Sequence, residues 1–170
     1  MFVLGVDPGL SRCGYGLVRR DGSRLSACAG GVICTDRTEA LPERLHLLFG
    51  ELRHLVGELR PDVVVVERVF FQTNVRTAMA TGQAGGLALV AAAEAGCEVV
   101  QYTANEVKQA VVGVGGASKE QVQNMVAAIL GLAERPRPPD VADALALAVC
   151  HLTAEPLRQA VSAAVTGAGP

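Results

Sequence analysis

The spacing of apolar positions changes along this chain, and the changes mark out its elements. The opening run Phe2-Val3-Leu4-Gly5-Val6-Asp7 is apolar without alternation and stops at Pro8-Gly9, as a buried strand entering a turn does. Residues 13–20 and 25–34 read as two further strands, and Asp21-Gly22 between them is a hairpin signal. From Leu41 to Leu59 the period lengthens. Leu41, Leu45, Leu48, Leu52, Leu55 and Leu59 recur at spacings of three and four, one helical stripe with Pro42 suited to its first turn. Pro61-Asp62 ends that helix, and Val63–Val66 follows as a strand buried on both faces.

A helix of small residues is expected from about Asn74 to Ala95, ended by Gly96; its Ala78, Gly82, Gly85 and Gly86 allow close approach by another backbone, within the core or across a dimer. A fifth strand over 97–102 and a short helix over 105–111 lead to the loop Gly113–Ser118. Ser118 and Gln121 form a capping box ahead of an amphipathic helix carrying Val122, Met125, Val126, Ile129 and Leu130. A last helix is expected from Asp140 to about Leu152, and the Ala- and Gly-rich segment from Glu155 is expected to fray. A meander of three strands followed by alternating helix and strand makes an α/β fold: a mixed five-stranded sheet, three antiparallel strands then two parallel, with helices on both faces.

Composition narrows the function. Half of the 170 residues are apolar and 19% are charged, which excludes disordered and fibrous classes. No apolar run approaches the roughly 20 residues needed to span a bilayer, and the N-terminus lacks the pattern of a secretory signal, so a cytoplasmic protein is expected. Five cysteines (Cys13, Cys28, Cys34, Cys97, Cys150) are scattered and never spaced Cys-x-x-Cys, which argues for reduced, mostly buried thiols rather than disulfides or zinc. His46, His54 and His151 lie on helices without ligand spacing and read as structural. The net charge of −2 does not advertise a nucleic-acid binder, but acids that converge on cations make whole-chain charge a weak guide. Of fifteen basic residues only Lys108 and Lys119 are lysines, and they flank the glycine-rich loop.

Four carboxylates carry the chemistry. Glu67 stands between Val63–Val66 and Val69-Phe70-Phe71, where burial of an unpaired carboxylate costs several kcal/mol unless a cation or a proton compensates it. Asp7 repeats this at the end of the first apolar run, although Asp-Pro-Gly is also a common turn. Asp140 and Asp143, three apart in the first turn of the last helix, share a face; taken alone they read as acids that favour a helix N-terminus. Helix capping cannot explain Glu67. Four hard oxygen donors without a His or Cys cluster suit Mg²⁺ or Mn²⁺, and two such ions about 3.5–4 Å apart are what metal-assisted phosphodiester hydrolysis uses.

At this point the chain resembles a known family. VDPG at Asp7, Gly14-Tyr15-Gly16, VVVERVFFQTN around Glu67, GQAGG at 82–86, VKQAVVGVGGASKEQVQNMV at 107–126 and PDVADALALA at 139–148 are similar, in order, to RuvC Holliday-junction resolvases over roughly residues 2–152. The resemblance implies an RNase H-like nuclease domain over 1–153 with a flexible tail over 154–170. It also implies a homodimer that cuts four-way DNA junctions symmetrically with Mg²⁺, leaving 5′-phosphate and 3′-hydroxyl ends. The implied partners are the RuvA–RuvB branch-migration complex. Its metal ligands fall on Asp7, Glu67, Asp140 and Asp143, and its active-site lysines on Lys108 and Lys119. The stacking aromatic falls on Phe70, although periodicity alone does not separate Phe70 from Phe71. Asn74, Arg76, Gly115 and Ser118 are further candidate DNA contacts. Lys119 also fits on physical grounds, since a helix N-terminus after a glycine-rich loop offers free N–H groups to a phosphate.

Three rivals stand beside this reading. Asp7-x-Gly9 with Gly14 and Gly16 also looks like the first phosphate loop of actin- and sugar-kinase-like ATPases, but those close a cleft between two such domains and 170 residues supply one. A silent junction binder predicts loss of at least one carboxylate, and all four are present. A nuclease acting on RNA–DNA hybrids shares the fold, but the segment 107–126 favours a resolvase.

Overall fold

The computed structural model describes residues 1–68 and 75–166, with side chains up to Ala154. Strands β1 (Phe2–Asp7), β2 (Arg12–Asp21) and β3 (Arg24–Cys34) form the expected meander, turned at Gly22 with φ of +59°. They are followed by α1 (Leu41–Leu59), β4 (Val63–Glu67), α2 (Val75–Glu94), β5 (Glu98–Tyr102), α3 (Ala104–Val112), α4 (Lys119–Leu130) and α5 (Pro139–Thr166). The strand order is β3-β2-β1-β4-β5, with β1 antiparallel to β2 and parallel to β4, and β4 parallel to β5.

Why β1 and β4 read as continuous apolar runs is clear from the layers. Side chains alternate across a strand, and here both faces are covered. Leu4, Val6, Val64 and Val66 face α1 and α2, packing with Leu48, Leu52, Val56, Ala88 and Ala92. Val3, Val63 and Val65 face the other way, against α3, α4 and α5, with Val107, Val126 and Leu145. The small-residue stripe of α2 is buried within the chain at Ala84, Gly85, Ala88, Ala91 and Ala92. In α1 the leucine stripe is buried in its middle, while Leu41 in the first turn is 43% exposed.

The second face is where the site is positioned. A Cβ on Gly5 would collide with the carbonyl oxygen of Ala144, one on Gly14 with the backbone of Asp140, and one on Gly16 with Leu145. Opposite these glycines, α5 presents Ala142, Ala144 and Ala148, all fully buried. Two surfaces without bulk let the helix backbone lie directly on β1 and β2, and its first turn is thereby carried to the end of β1.

Two expectations are corrected. α5 does not end near Leu152 but continues to Thr166. Pro156 has no N–H for the Leu152 carbonyl, which Arg20 Nη1 meets instead at 3.3 Å, and the Ala-rich sequence beyond favours helix. The cysteines are free but not mostly buried: Cys13 and Cys150 are, whereas Cys28 and Cys34 are exposed because they lie on the edge strand β3. Of the histidines, His151 alone is buried, with its Nδ1 3.2 Å from the Tyr102 hydroxyl. Among the described residues, no helix is long and apolar enough to cross a membrane.

The glycine contact makes a prediction. Gly5→Ala should lower the free energy of unfolding by roughly 3 kcal/mol, because overpacking a rigid backbone contact has no flexible side chain to absorb it. Gly50→Ala, in α1 with open space around it, should raise it by about 0.5–1 kcal/mol through helix propensity. Equal effects of both in urea unfolding would contradict the packing described.

Candidate active site

The parallel register pairs Gly5 with Val65 and Val6 with Val66, so Asp7 and Glu67 come next to one another at the ends of β1 and β4. Both occupy odd positions, as do Val3, Val63 and Val65, and therefore face α5 rather than α1 and α2. The first turn of α5 lies over this end of the sheet and supplies Asp140 and Asp143. Facing them, α4 begins at Lys119, and its start is fixed by the expected capping box: Gln121 N–H donates to Ser118 Oγ at 3.2 Å, and Ser118 N–H to Gln121 Oε1 at 2.8 Å.

A cavity of about 120 Å³ brings these together, lined by Asp7, Glu67, Asp143, Lys108 and Lys119, with apolar walls from Val107, Val122 and Leu147. Asp140 stands beside it. Its carboxylate accepts from Arg12 Nη2 at 2.9 Å and from Arg12 Nε at 3.3 Å, a forked pair. Asp143 Oδ2 accepts from Lys119 Nζ at 2.9 Å.

Electrostatics divide the four acids into two pairs. Burial, then the neighbouring charges of Glu67 and Asp143, push the Asp7 carboxyl up to about 7 against the pull of Lys119. Burial and then Asp143 also push Glu67 upward, offset in part by Lys119 and by a hydrogen bond with Asp7. The strand acids are therefore poorly disposed to be ionised together. On the helix, the hydrogen bonds from Arg12 hold Asp140 below the usual carboxylate range. The bond to Asp143 raises the Lys119 ammonium, which stays charged.

Whether this donor set fits divalent cations follows from the same facts. Among the described residues, no three acids converge as a closed cage, since Arg12 draws on Asp140 and Lys119 on Asp143. Yet the donors are all hard carboxylate oxygens, and Asp7 is raised to about 7 first by burial and then by the charges of Glu67 and Asp143, both of which a bound cation would offset. The residues fit Mg²⁺ or Mn²⁺, with Asp7, Glu67, Asp140 and Asp143 as the candidate ligands.

Of the other expected contacts, Arg76 lies at the start of α2 in a separate cleft with Arg12, Arg37 and Arg44. Ser118 commits its hydroxyl to the α4 cap, and Gly115 lies in the loop before it. Phe70, Phe71 and Asn74 fall outside the described residues. Arg12 escaped sequence reasoning: a charged residue opening a strand reads as solvated, and its partner lies 128 residues away. The signal that could have found it was the antiparallel pairing of β1 with β2, which sets Gly14 opposite Asp7 and so brings the start of β2 beside the acids.

Comparison with known proteins gives this geometry its context. Residues 3–151 match the family crossover junction endodeoxyribonuclease RuvC. The RuvC of Syntrophomonas wolfei is 46% identical over 169 residues, covering 99% of this chain and 98% of that protein. The RuvC of Moorella thermoacetica is 50% identical over 159 residues, covering 94% and 95%. Among solved structures, Thermus thermophilus RuvC superposes with a TM-score of 0.86 at 39% identity, over 93% of this chain and 97% of that one. The same protein in complex with a Holliday junction substrate gives 0.84 at 37% identity, over 92% and 96%. The extent of these matches, together with the acids at the ends of β1 and β4 and in the first turn of α5, places the chain in the RuvC family of crossover junction endodeoxyribonucleases.

Proposed function

We propose that this protein is a structure-selective endonuclease that resolves Holliday junctions in DNA recombination and repair, hydrolysing one phosphodiester bond in each of two strands of like polarity. The observation that carries this reading is the cavity in which Asp7, Glu67 and Asp143 meet Lys108 and Lys119, with Asp140 at its edge. Relatives at 46–50% identity bear the name crossover junction endodeoxyribonuclease, and a relative of the same fold was solved on a Holliday junction.

The described side chains lining the cavity are carboxylates, lysines and apolar groups, with no hydroxyl or thiol among them. The attacking nucleophile in this reading is water, with the carboxylates kept for holding cations. Two divalent ions, Mg²⁺ or Mn²⁺, would supply activation of that water and stabilisation of the leaving 3′ oxygen when bound. Asp7 and Glu67 are held by the sheet and Asp140 and Asp143 by the first turn of α5, so the ligand positions rest on rigid elements rather than on a loop. Lys119 and Lys108 offer positive charge to the scissile phosphate, and the apolar walls strengthen that attraction by excluding water.

Symmetric cutting calls for two such sites, which a homodimer supplies, and the resemblance adds the RuvA–RuvB complex as partner in the cytoplasm. Phe70 is the residue proposed to stack on a base opened at the crossover, and Asn74, Arg76, Gly115 and Ser118 are proposed as further DNA contacts.

Two outcomes are expected. Glu67→Gln should slow junction cutting at least about 1000-fold while leaving junction affinity within about threefold, since it removes a ligand to the metal and not a contact to DNA. Cutting at the normal rate by that variant would remove the carboxylates from the mechanism.

The second concerns pH. Asp7 takes up its proton near 7 in the folded chain and near 3.8 ordinarily, so between these values the folded state binds more protons than the unfolded one. Without divalent ions, stability should therefore rise as pH falls from about 7 towards 4 and stay at its lower level above 7. Asp7→Asn should remove that dependence, and at pH 8 in EDTA should be the more stable protein by on the order of 2–4 kcal/mol. Parallel urea-unfolding curves for the two proteins from pH 5 to 8 would contradict the charge crowding.

A further inference from the structure

Four of the fifteen basic residues gather on the other side of the Pro8-Gly9 turn from the carboxylate cavity. Arg12 opens β2, Arg37 lies between β3 and α1, Arg44 is in the first turns of α1, and Arg76 begins α2. They line one open cleft of about 540 Å³, together with Gly9, Ser11, Thr77 and Thr81. Residues from four separate segments of the sequence meet here, so the clustering is a property of the fold and not of a charged run.

The cleft is built rather than incidental. Arg44 Nε donates to Thr35 Oγ1 at 2.9 Å and its Nη2 donates to Ser11 Oγ at 2.7 Å. Thr35 is itself buried and donates to the Leu10 carbonyl at 2.6 Å. A guanidinium fixed by neutral hydroxyls is oriented without losing its charge. Two acids lie close to the cleft: Asp140 pairs with Arg12, one of its four arginines, and Asp36, which accepts from the Thr38 N–H and hydroxyl, both at 2.8 Å, also feels the charge of Arg44. Fixed guanidinium groups with hydroxyls and backbone between them are the side chains that bind the sugar-phosphate backbone.

We propose that this cleft is a second phosphate-binding track, which holds a DNA strand of the junction outside the cutting cavity. The inference rests on the nuclease reading above and extends it to how the substrate is held. It accounts for how a chain of net charge −2 binds a polyanion: the positive charge is local, on the side of the acids away from Lys108 and Lys119. Arg12 joins the two places, since it lines the cleft while its guanidinium holds Asp140 at the cavity. A strand in the cleft therefore runs past Arg12 towards the carboxylates.

The test is fluorescence anisotropy of a labelled synthetic four-way DNA junction with the full chain in EDTA, over a range of salt. The proteins are wild type, Arg37→Ala/Arg76→Ala, Arg37→Lys/Arg76→Lys and Arg53→Ala. Arg53 pairs with Glu94 away from the cleft, so it controls for removal of charge alone. The double alanine variant should bind on the order of tenfold more weakly, with the slope of log K against log salt reduced by about 2, one for each phosphate no longer neutralised. The lysine pair should restore most of the slope, and Arg53→Ala should match wild type. Should wild type bind the junction in EDTA, and cut it in a parallel reaction with Mg²⁺, while the double alanine variant keeps its affinity and slope, the track is wrong and the nuclease reading stands. An equal weakening in Arg53→Ala would reduce the effect to overall charge and overturn the track as well. Failure of wild type to bind the junction would sink both.

Discussion

Where α5 meets the sheet, backbone touches backbone. Gly5 and Gly14 have no Cβ to hold the helix away, and Ala142, Ala144 and Ala148 present nothing larger in return. This approach decides the chemistry. A helix seated on ordinary strand side chains would stand further off, with Asp140 and Asp143 carried away from Asp7 and Glu67. Because it sits close, two acids on strand ends and two on a helix start share one end of the fold. The chain then carries their mutual repulsion at one end of the sheet.

That repulsion is divided in two ways. Asp140 and Asp143 are compensated by forked and single bonds from Arg12 and Lys119. Asp7 and Glu67 are deeper, with no ion pair of that kind among the described residues, and burial and mutual charge drive them towards sharing a proton instead. Stability is thus given up at the strand ends, where the hard carboxylate oxygens suit a divalent cation. The same division gives the flanks their character, with lysines and a helix N-terminus on one side and a cleft of arginines on the other.

Much of this could be read from the residues alone, for identifiable reasons. Glu67 stood out because a carboxylate within an apolar run has no cheap explanation, and the period-2 logic of parallel strands brings Asp7 beside it. α1, β4 and the Ser118–Gln121 cap were equally plain, since each depends on local spacing. Asp140 and Asp143 were ambiguous because helix starts favour acids whatever their role, and only the glycines opposite them fix their place. Arg12 and the arginine cleft were illegible, as their contacts join segments far apart in sequence. The end of α5 was misplaced because the Ala- and Gly-rich segment from Glu155 reads as a fraying tail, whereas the helix continues past Pro156, with Arg20 meeting the Leu152 carbonyl that the proline leaves without a donor.

The central claim, that these convergent acids cut DNA at a four-way crossover, is tested most directly by mapping cleavage on all four strands of a synthetic junction. The reactions contain Mg²⁺, Mn²⁺ or EDTA, with a linear duplex and an RNA–DNA hybrid alongside. Paired, symmetric nicks on two strands of like polarity, present with either ion and absent in EDTA, are the predicted result. Preferential cutting of the hybrid, or binding of the junction without cutting under either ion, would contradict it.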